Sequence, residues 1–137
     1  LETVGLSPAS RFMGRRPGQL SGGQRQRVLI ARALVVQPQL IIADEAVSAL
    51  DASVKAGVLK VMVDIKERLG VGFLFITHDL EVVKKVAQRV IVMKSGAIVE
   101  EGSCERTFNS PQEVYTQELL NSGSTLSGAI RGLNNAK

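Results

Sequence analysis

The stretch Leu20-Ser21-Gly22-Gly23-Gln24, which continues as Arg25-Gln26-Arg27, decides how the rest of the chain is interpreted. Its two adjacent glycines let the backbone approach a ligand without a Cβ in the way. Ser21 is a favoured N-cap residue, and an apolar-rich run with helical spacing follows from Gln24 to about Val36. Because the N–H groups at a helix N-terminus attract phosphate, the stretch predicts a phosphate site in front of that helix. For such a motif on its own, an ordinary loop before a helix is the alternative.

Two unbroken apolar runs downstream predict strands of a parallel sheet. The first, Leu40–Ala43, ends in Asp44 and Glu45, and the second, Gly72–Thr77, ends at His78. Such runs are typical of parallel strands that are buried on both faces. Open α/β sheets bind ligands at the carboxyl ends of their strands, so we expect the carboxylates of Asp44 and Glu45 near a ligand. The alternatives are an acidic loop after a strand and a histidine with only a structural role.

A long helix is predicted between these runs. Asp51 lies near its start, where a carboxylate interacts favourably with the helix dipole, and Gly70 is the expected C-terminal cap. Gly57 inside the helix costs about 1 kcal/mol relative to alanine. The apolar face is marked by residues at helical spacing: Val54, Val58, Val61, Ile65 and Leu69.

After the second run, the sequence predicts a short helix and a β-hairpin. Asp79 is expected to cap a helix through about Ala87. Residues 90–93 and 97–100, joined by Lys94-Ser95-Gly96, predict the hairpin. The apolar stripe of the short helix is predicted to contain Leu80, Val83, Val86 and Ala87.

The two ends of the chain differ from its middle. Residues 1–19 contain several Pro and Gly breakers and are expected to be rich in loops. A short helix is predicted over residues 111–121, and the Gly/Ser/Asn-rich residues 122–137 are predicted to form a flexible tail. The chain does not begin with Met, and we expect it to be a fragment of a longer protein.

Composition and charge narrow the class of protein. Hydrophobic residues make up 45% of the chain, and no apolar run approaches the roughly 20 residues that span a bilayer. The single Cys104 suits a reducing cytosol, and no secretion signal is visible at the N-terminus.

The net charge is +4, with six basic residues and one acid before residue 40, which a nucleic acid or a phosphate-facing surface would explain. With aromatics at 4%, stacking on bases has little support, so we expect no nucleic-acid partner.

The order of these motifs resembles that of the ATP-binding-cassette (ABC) ATPases over roughly residues 1–121. Leu20 to Gln24 looks like the family's signature motif, and the strand ending in Asp44 and Glu45 looks like its Walker B motif. Ser48-Ala49-Leu50-Asp51 and Ile76-Thr77-His78-Asp79 follow in the family's order. The wording Ile-Ala-Asp-Glu-x-Val-Ser-Ala-Leu-Asp and the stretch Ser110-Pro111-Gln112 … Tyr115-Thr116 are most similar to the ATPases of dipeptide and oligopeptide importers.

The resemblance implies a fold class, a reaction and a set of site residues. The implied fold is α/β: a partial P-loop NTPase (RecA-like) core with a mostly parallel sheet, together with the end of the ABC helical subdomain. The implied reaction is ATP hydrolysis, in which Glu45 polarises the attacking water and His78 contacts the γ-phosphate. Asp44 would hold Mg²⁺, a hard cation that prefers oxygen ligands. The residues that would contact ATP are Ser21, Gly22, Gly23, Gln24 and Asp51.

The chain departs from the family pattern in two ways. Ala46 stands where the family usually has proline, and we expect that restoring proline there would be nearly silent or mildly stabilising. No Gly-x-x-x-x-Gly-Lys-Ser/Thr occurs, since none of the thirteen glycines is followed by lysine. We therefore expect roughly the second half of an ABC nucleotide-binding domain, which alone would neither bind ATP tightly nor hydrolyse it.

The resemblance also implies partners and a location. The partners would be a second ABC ATPase subunit, paired head to tail around ATP, and the transmembrane permease subunits of a peptide importer. The protein would then be cytoplasmic and peripheral on the inner face of the cell membrane. The alternatives are a soluble ABC ATPase outside transport and a truncated, non-catalytic binding module. Soluble members tend to carry coiled-coil inserts or a second cassette, which this sequence lacks, and the missing P-loop favours the truncated module for these residues.

Overall fold

Two units, each with a two-stranded sheet, form the part of the chain that the computed structural model describes, residues 1–122. The first unit is Leu1–His78 and the second begins at Asp79. Single-turn 3₁₀ helices lie at Glu2–Val4 and Pro17–Gln19. The helices and strands, in chain order, are α1 (Ser10–Met13), α2 (Gly22–Leu34), β1 (Leu40–Asp44), α3 (Ala52–Leu69), β2 (Gly72–Ile76), α4 (Leu80–Val86), β3 (Arg89–Lys94), β4 (Ala97–Ser103), α5 (Cys104–Asn109) and α6 (114–122).

The sheet of the first unit is parallel, as predicted. β1 pairs with β2 in register, from Leu40 opposite Gly72 to Asp44 opposite Ile76. Parallel neighbours need a crossover connection, and the 18-residue helix α3 provides it. The carboxyl ends of the two strands therefore lie side by side, which brings the residues that follow each strand together.

The prediction that these strands are buried on both faces is wrong. Side chains alternate between the two faces of a sheet, and within residues 1–122 only one face is covered. An unbroken apolar run shows that a strand is apolar on both sides, but it does not show what covers each side. The uncovered face carries four large apolar side chains that are 44% to 62% exposed: Leu40, Ile42, Leu74 and Ile76.

The core of the first unit lies where α2 and α3 pack on each other and on the 3₁₀ turn at Glu2–Val4. Val4 and Leu6 are 0% and 2% exposed, so the segment that the sequence predicted to be mainly loop contributes to the core. Its helical turns were not predicted, because they are too short to show an apolar period.

The predicted apolar face of α3 is correct in part. Val58 and Ile65 are buried as expected, whereas Leu69 in the last turn is 52% exposed. Leu59 and Met62, which the prediction omitted, are 5% and 2% exposed. The buried stripe is wider than a single row because α3 packs against two elements. The predicted end of the helix is confirmed by the left-handed Gly70 cap, with φ of 67°.

The second unit begins with the predicted short helix. Asp79 caps α4 through Oδ1, which accepts the backbone N–H groups of Glu81 at 3.1 Å and Val82 at 3.2 Å. Val82 is 2% exposed and is the buried residue of this helix, although the predicted stripe left it out. The hairpin is confirmed: β3 and β4 are antiparallel and joined at Ser95 and Gly96, with φ of 51° and 82°.

A buried carboxylate joins the hairpin to the last helix. Glu100 on β4 is 6% exposed and accepts the backbone N–H groups of Gln112 at 3.0 Å and Glu113 at 3.2 Å. The N–H of Gln112 is the main cause that lowers the pKa of the Glu100 carboxyl. The Thr116 side chain is the second cause of the lowered pKa, but its buried hydroxyl makes no hydrogen bond to the described residues. We therefore attribute the lowered pKa of Glu100 chiefly to the two N–H groups.

The ends of the second unit differ slightly from the prediction. The helix expected over 111–121 lies at 114–122, so Ser122 is helical rather than the start of a tail. The rest of the predicted tail, residues 123–137, lies outside the described residues. Helix α5 was not predicted, although its N-cap Ser103, which accepts the N–H of Arg106, is a recognisable start signal. Within residues 1–122, no helix combines the length and apolar character needed to cross a membrane.

Candidate functional site

The signature-like stretch is folded into a capping box at the start of α2. Ser21 Oγ accepts the N–H of Gln24 at 3.3 Å, and Gln24 Oε1 accepts the N–H of Ser21 at 3.0 Å. Arg25 folds back and donates from Nη1 to the carbonyl of Leu20 at 2.7 Å. The predicted N-cap role of Ser21 is confirmed, and the helix begins at Gly22, two residues earlier than expected.

The two glycines of this stretch lie against neighbouring residues of the same unit. A Cβ added to the buried Gly23 would lie 2.4 Å from Cγ1 of Val54 in α3. A Cβ added to Gly22 would lie 3.0 Å from Cδ2 of Leu50. The close approach of α2 to α3 therefore requires glycine at position 23, independently of any ligand. The role of both residues in nucleotide binding stays a prediction.

Glu45 and His78 meet beyond the carboxyl ends of the parallel strands. Nδ1 of His78 lies 2.9 Å from Oε1 of Glu45, with the two side chains 81% and 41% exposed. The N–H of Glu45 also donates to the carbonyl of Ile76 at 2.9 Å, which continues the pairing of β1 with β2 by one residue. The hydrogen bond with the His78 side chain is the main cause that holds the pKa of the Glu45 carboxyl below its ordinary value. The sequence predicted both residues as catalytic, and the structure brings them into contact.

The backbone of Glu45 adopts an uncommon conformation. Its φ is 45°, in the left-handed region that few non-glycine residues occupy. Ser48 Oγ donates to the carbonyl of Glu45 at 2.9 Å and the N–H of Ser48 lies 3.2 Å from the same oxygen, which holds the turn. The sequence reasoning assigned no role to Ser48, although a serine three residues after the carboxylate is a possible signal. Proline disfavours such a conformation in the residue before it, so this φ argues against the expectation that Ala46→Pro would be silent.

Asp51 is the N-cap of α3, as predicted. Oδ1 accepts the N–H of Val54 at 3.0 Å and the hydroxyl of Ser53 at 2.9 Å. These bonds, chiefly the one from Val54, lower the pKa of the Asp51 carboxyl. The cap role does not depend on a nucleotide, and the predicted contact of Asp51 with ATP stays a prediction.

Asp44 is the candidate magnesium ligand. It is the last residue of β1, its side chain is exposed, and it lies opposite Ile76 in the parallel pair. No group of three or more His, Cys, Asp or Glu side chains suited to a metal occurs among residues 1–122. A single carboxylate fits Mg²⁺, which usually keeps several waters and binds through one or two carboxylates together with substrate phosphates.

These residues form two groups within the first unit. One group follows the parallel strands and contains Asp44, Glu45 and His78. The other consists of the N-terminal caps of the two helices that pack on each other, the capping box of Ser21 and Gln24 on α2 and Asp51 on α3. The fold and the first group define an α/β protein with a candidate ligand site at the carboxyl ends of its parallel strands.

Comparisons with known proteins agree with this class. Residues 1–48 match the family model described as ABC transporter. The dipeptide transport ATP-binding protein of Haemophilus influenzae is 47% identical over 131 residues, which cover 96% of this chain and 39% of that protein. The solved ADP conformation of an ATP-binding cassette of an ABC transporter matches with a TM-score of 0.75 and 31% identity, over 87% of this chain and 46% of that one. A dimeric cassette in a post-hydrolysis state, bound to ADP and Pi, matches with a TM-score of 0.62 and 35% identity, over 75% of this chain and 43% of that one.

The chain therefore belongs to the ABC transporter family of ATP-binding proteins. The resemblance drawn from the motifs and the predicted α/β fold class are both confirmed. The chain spans 39% of the length of the H. influenzae dipeptide relative. The comparisons assign no role to individual residues, so the predicted catalytic, nucleotide-binding and metal-binding residues stay predictions.

Proposed function

We propose that these residues form part of an ATP-hydrolysing subunit of an importer. The observation that carries the proposal is the contact between Glu45 and His78 beyond two parallel strands. An ionised carboxylate can orient and polarise a water for attack on a phosphate, since phosphoryl transfer depends mainly on positioning and charge stabilisation. The hydrogen bond with His78 orients the Glu45 carboxylate and lowers its pKa, and the second ring nitrogen of His78 remains able to face a phosphate.

The proposal includes ATP and Mg²⁺. Asp44 would hold the metal ion, which supplies charge neutralisation to the phosphates when it is bound. Ser21, Gly22, Gly23 and Gln24 would face the γ-phosphate of a nucleotide held by another subunit, in the head-to-tail pairing that the family resemblance implies. The capping box supports this role, since it fixes the first turn of α2 before any ligand arrives and uses the N–H groups of Ser21 and Gln24 but not those of Gly22 and Gly23.

The names and structures of the relatives support a proposal for the partners and the substrate. The H. influenzae relative is named as a dipeptide transport protein, and one structural neighbour is dimeric. We therefore infer a head-to-tail pair of ATPase subunits bound to membrane-spanning permease subunits, with dipeptides or other short peptides as cargo. This assembly places the protein at the cytoplasmic face of the cell membrane.

The test uses a hybrid in which these residues replace the matching segment of the H. influenzae protein. We expect Glu45→Gln to retain nucleotide binding and to lose turnover by roughly 10²-fold or more, because the amide keeps the shape but not the charge. The matched control is Glu67→Gln, on the exposed surface of α3, which should hydrolyse ATP at the rate of the parent hybrid. Parent-like hydrolysis by the Glu45→Gln variant would contradict the assignment of the catalytic carboxylate.

For the 137 residues by themselves, a non-catalytic binding module is a second candidate. The observation that favours it is the absence of Gly-x-x-x-x-Gly-Lys-Ser/Thr from the sequence. We expect calorimetric titration of the isolated chain with Mg·ATP to give no tight binding. Micromolar affinity would contradict this second candidate and would show that phosphate binding does not need the P-loop here.

A further inference from the structure

The Arg27 side chain links three separate segments of the first unit. Its Nη1 donates to the carbonyl of Gly5 at 3.2 Å, and its Nη2 donates to the carbonyl of Gly57 at 3.4 Å. Gly5 follows the first 3₁₀ turn, Arg27 lies in the second turn of α2, and Gly57 lies inside α3. One guanidinium therefore holds the N-terminal segment, α2 and α3 together.

Both acceptor residues are glycines at which a side chain would meet the guanidinium. A Cβ added at Gly57 would lie 3.3 Å from Nη2 of Arg27, and a Cβ added at Gly5 would lie 2.8 Å from Nη1. Glycine is unfavourable inside a helix, so the sequence alone gives no reason for Gly57. A side chain at position 57 would crowd the end of the Arg27 side chain by a few tenths of an ångström.

Arg27 makes these contacts through hydrogen bonds and not through an ion pair. Both partners are neutral backbone carbonyls, and within residues 1–122 no carboxylate lies within ion-pair distance of Arg27. An open cleft of about 340 Å³ lies among the same segments, with Arg27 in its lining. The planar guanidinium, with donors in fixed directions, is suited to set the relative position of these segments.

We propose that Arg27 is a positioning residue that fixes the first turn of α2, Ser21 to Gly23, relative to α3. The anchor lies four residues after Gly23, about one helical turn, on a helix whose N-terminus already approaches Val54 of α3. Holding α2 at both places fixes its rotation, and the rotation sets the direction of the N–H groups at its start. The consequence for catalysis rests on the proposed function, whereas the positioning itself does not.

The first test uses the 137-residue chain and needs no nucleotide. In nitrogen–proton spectra, Arg27→Met should shift and broaden the amide signals of Gly22 and Gly23. The matched control is Lys60→Met, which removes a positive charge from an exposed position on α3 and should leave those signals in place. Unchanged signals in a folded Arg27→Met chain would overturn the proposal.

Gly57→Ala by itself keeps the proposal testable if Arg27→Met does not fold, since unchanged Gly22 and Gly23 signals in Gly57→Ala would overturn it. The double variant adds a test if Arg27→Met folds. Gly57→Ala should displace the guanidinium and shift the same two amide signals in the same direction. In the Arg27→Met background, Gly57→Ala should shift them no further and should raise Tm, since alanine is the better helix former. Additive shifts would overturn the proposal, because they would show that Gly57 and Arg27 act independently.

The catalytic readout uses the hybrid described above. Arg27→Met should lower kcat on the order of 10- to 10²-fold, with the Kd for ATP unchanged, because misplacement of a remote group affects mainly the reacting geometry. Arg27→Lys keeps the charge but reaches only one carbonyl, so its kcat should lie between those of the parent and Arg27→Met. Full activity of Arg27→Lys would overturn the geometric role. If the parent hybrid fails to hydrolyse ATP, the proposed function fails, and the amide signals still decide the positioning role.

Discussion

Gly23→Ala tests whether the signature-like glycine is required by packing inside the chain. The added Cβ would lie 2.4 Å from Cγ1 of Val54, more than 1 Å inside the roughly 3.5–4.0 Å of an ordinary carbon–carbon contact. Overpacking of this kind typically costs about 1–3 kcal/mol, and the better helix propensity of alanine returns at most about 1 kcal/mol. With the full helix-propensity gain, we therefore expect Gly23→Ala to lower the free energy of unfolding by up to about 2 kcal/mol.

The assay is urea denaturation of the 137-residue chain, followed by circular dichroism. In a Val54→Ala background the clash disappears, so Gly23→Ala should become neutral or stabilising, with a coupling energy of about 1–3 kcal/mol between the two positions. Gly14→Ala is the control, because nothing lies within 4 Å of its added Cβ and its φ is −94°, and it should change stability by less than about 0.5 kcal/mol. A stabilised Gly23→Ala chain with Val54 intact would refute the close approach of α2 to α3. The same clash would destabilise Gly23→Asp, so that variant by itself cannot test whether Gly23 faces a nucleotide bound to a partner subunit.

Three further predictions concern the first unit. The carboxyl group of Glu45 should titrate below its ordinary pKa, so the stabilisation from its bond with His78 is present above that ordinary pKa and is lost as the pH falls through the folded-state pKa. In His78→Ala the pKa of Glu45 should return to its ordinary value, and an unchanged titration would show that the contact does not form in solution. Ala46→Pro should weaken the contact between Glu45 and His78, because proline disfavours the left-handed φ of 45° at Glu45, and the pKa of the Glu45 carboxyl should rise. An unchanged pKa of Glu45 together with a higher Tm would contradict this prediction. Met62→Ala should lower the free energy of unfolding by about 2–5 kcal/mol and Leu69→Ala by less than about 1 kcal/mol, because Met62 is 2% exposed and Leu69 is 52% exposed. Equal decreases in the free energy of unfolding, measured by urea denaturation, would show that Leu69 is buried in solution.

Features that depend on a few consecutive residues could be predicted from the sequence. Ser21, Asp51 and Asp79 were each expected at a helix start, and each caps a helix in the structure. A capping side chain bonds to N–H groups two or three residues ahead, so both partners lie within one short stretch. The cap at Gly70 and the hairpin turn at Ser95 are local in the same sense, because a turn depends on residues that can adopt positive φ.

Part of the candidate site was also accessible from the sequence. Asp44 and Glu45 were expected at the ligand edge because they follow a strand of a parallel sheet, and His78 was expected near Glu45 because of the family's motif order. The contact between Glu45 and His78 agrees with that placement, although the two residues are 33 positions apart. The left-handed backbone of Glu45 could not be read from the sequence, since glutamate has no preference for it and the turn is held by Ser48.

Only the tertiary structure decided which apolar residues are covered and which glycines are required. The exposed Ile42 and the buried Ala43 belong to one apolar run, and their difference depends on what packs on each face of the sheet. A side chain at position 23 would clash with Val54, and one at position 57 would crowd the end of the Arg27 side chain, partners that are 31 and 30 residues away. Caps and turns are determined by the sequence because their energies come from neighbouring residues. Burial and close approach are determined by chain segments that meet only after folding.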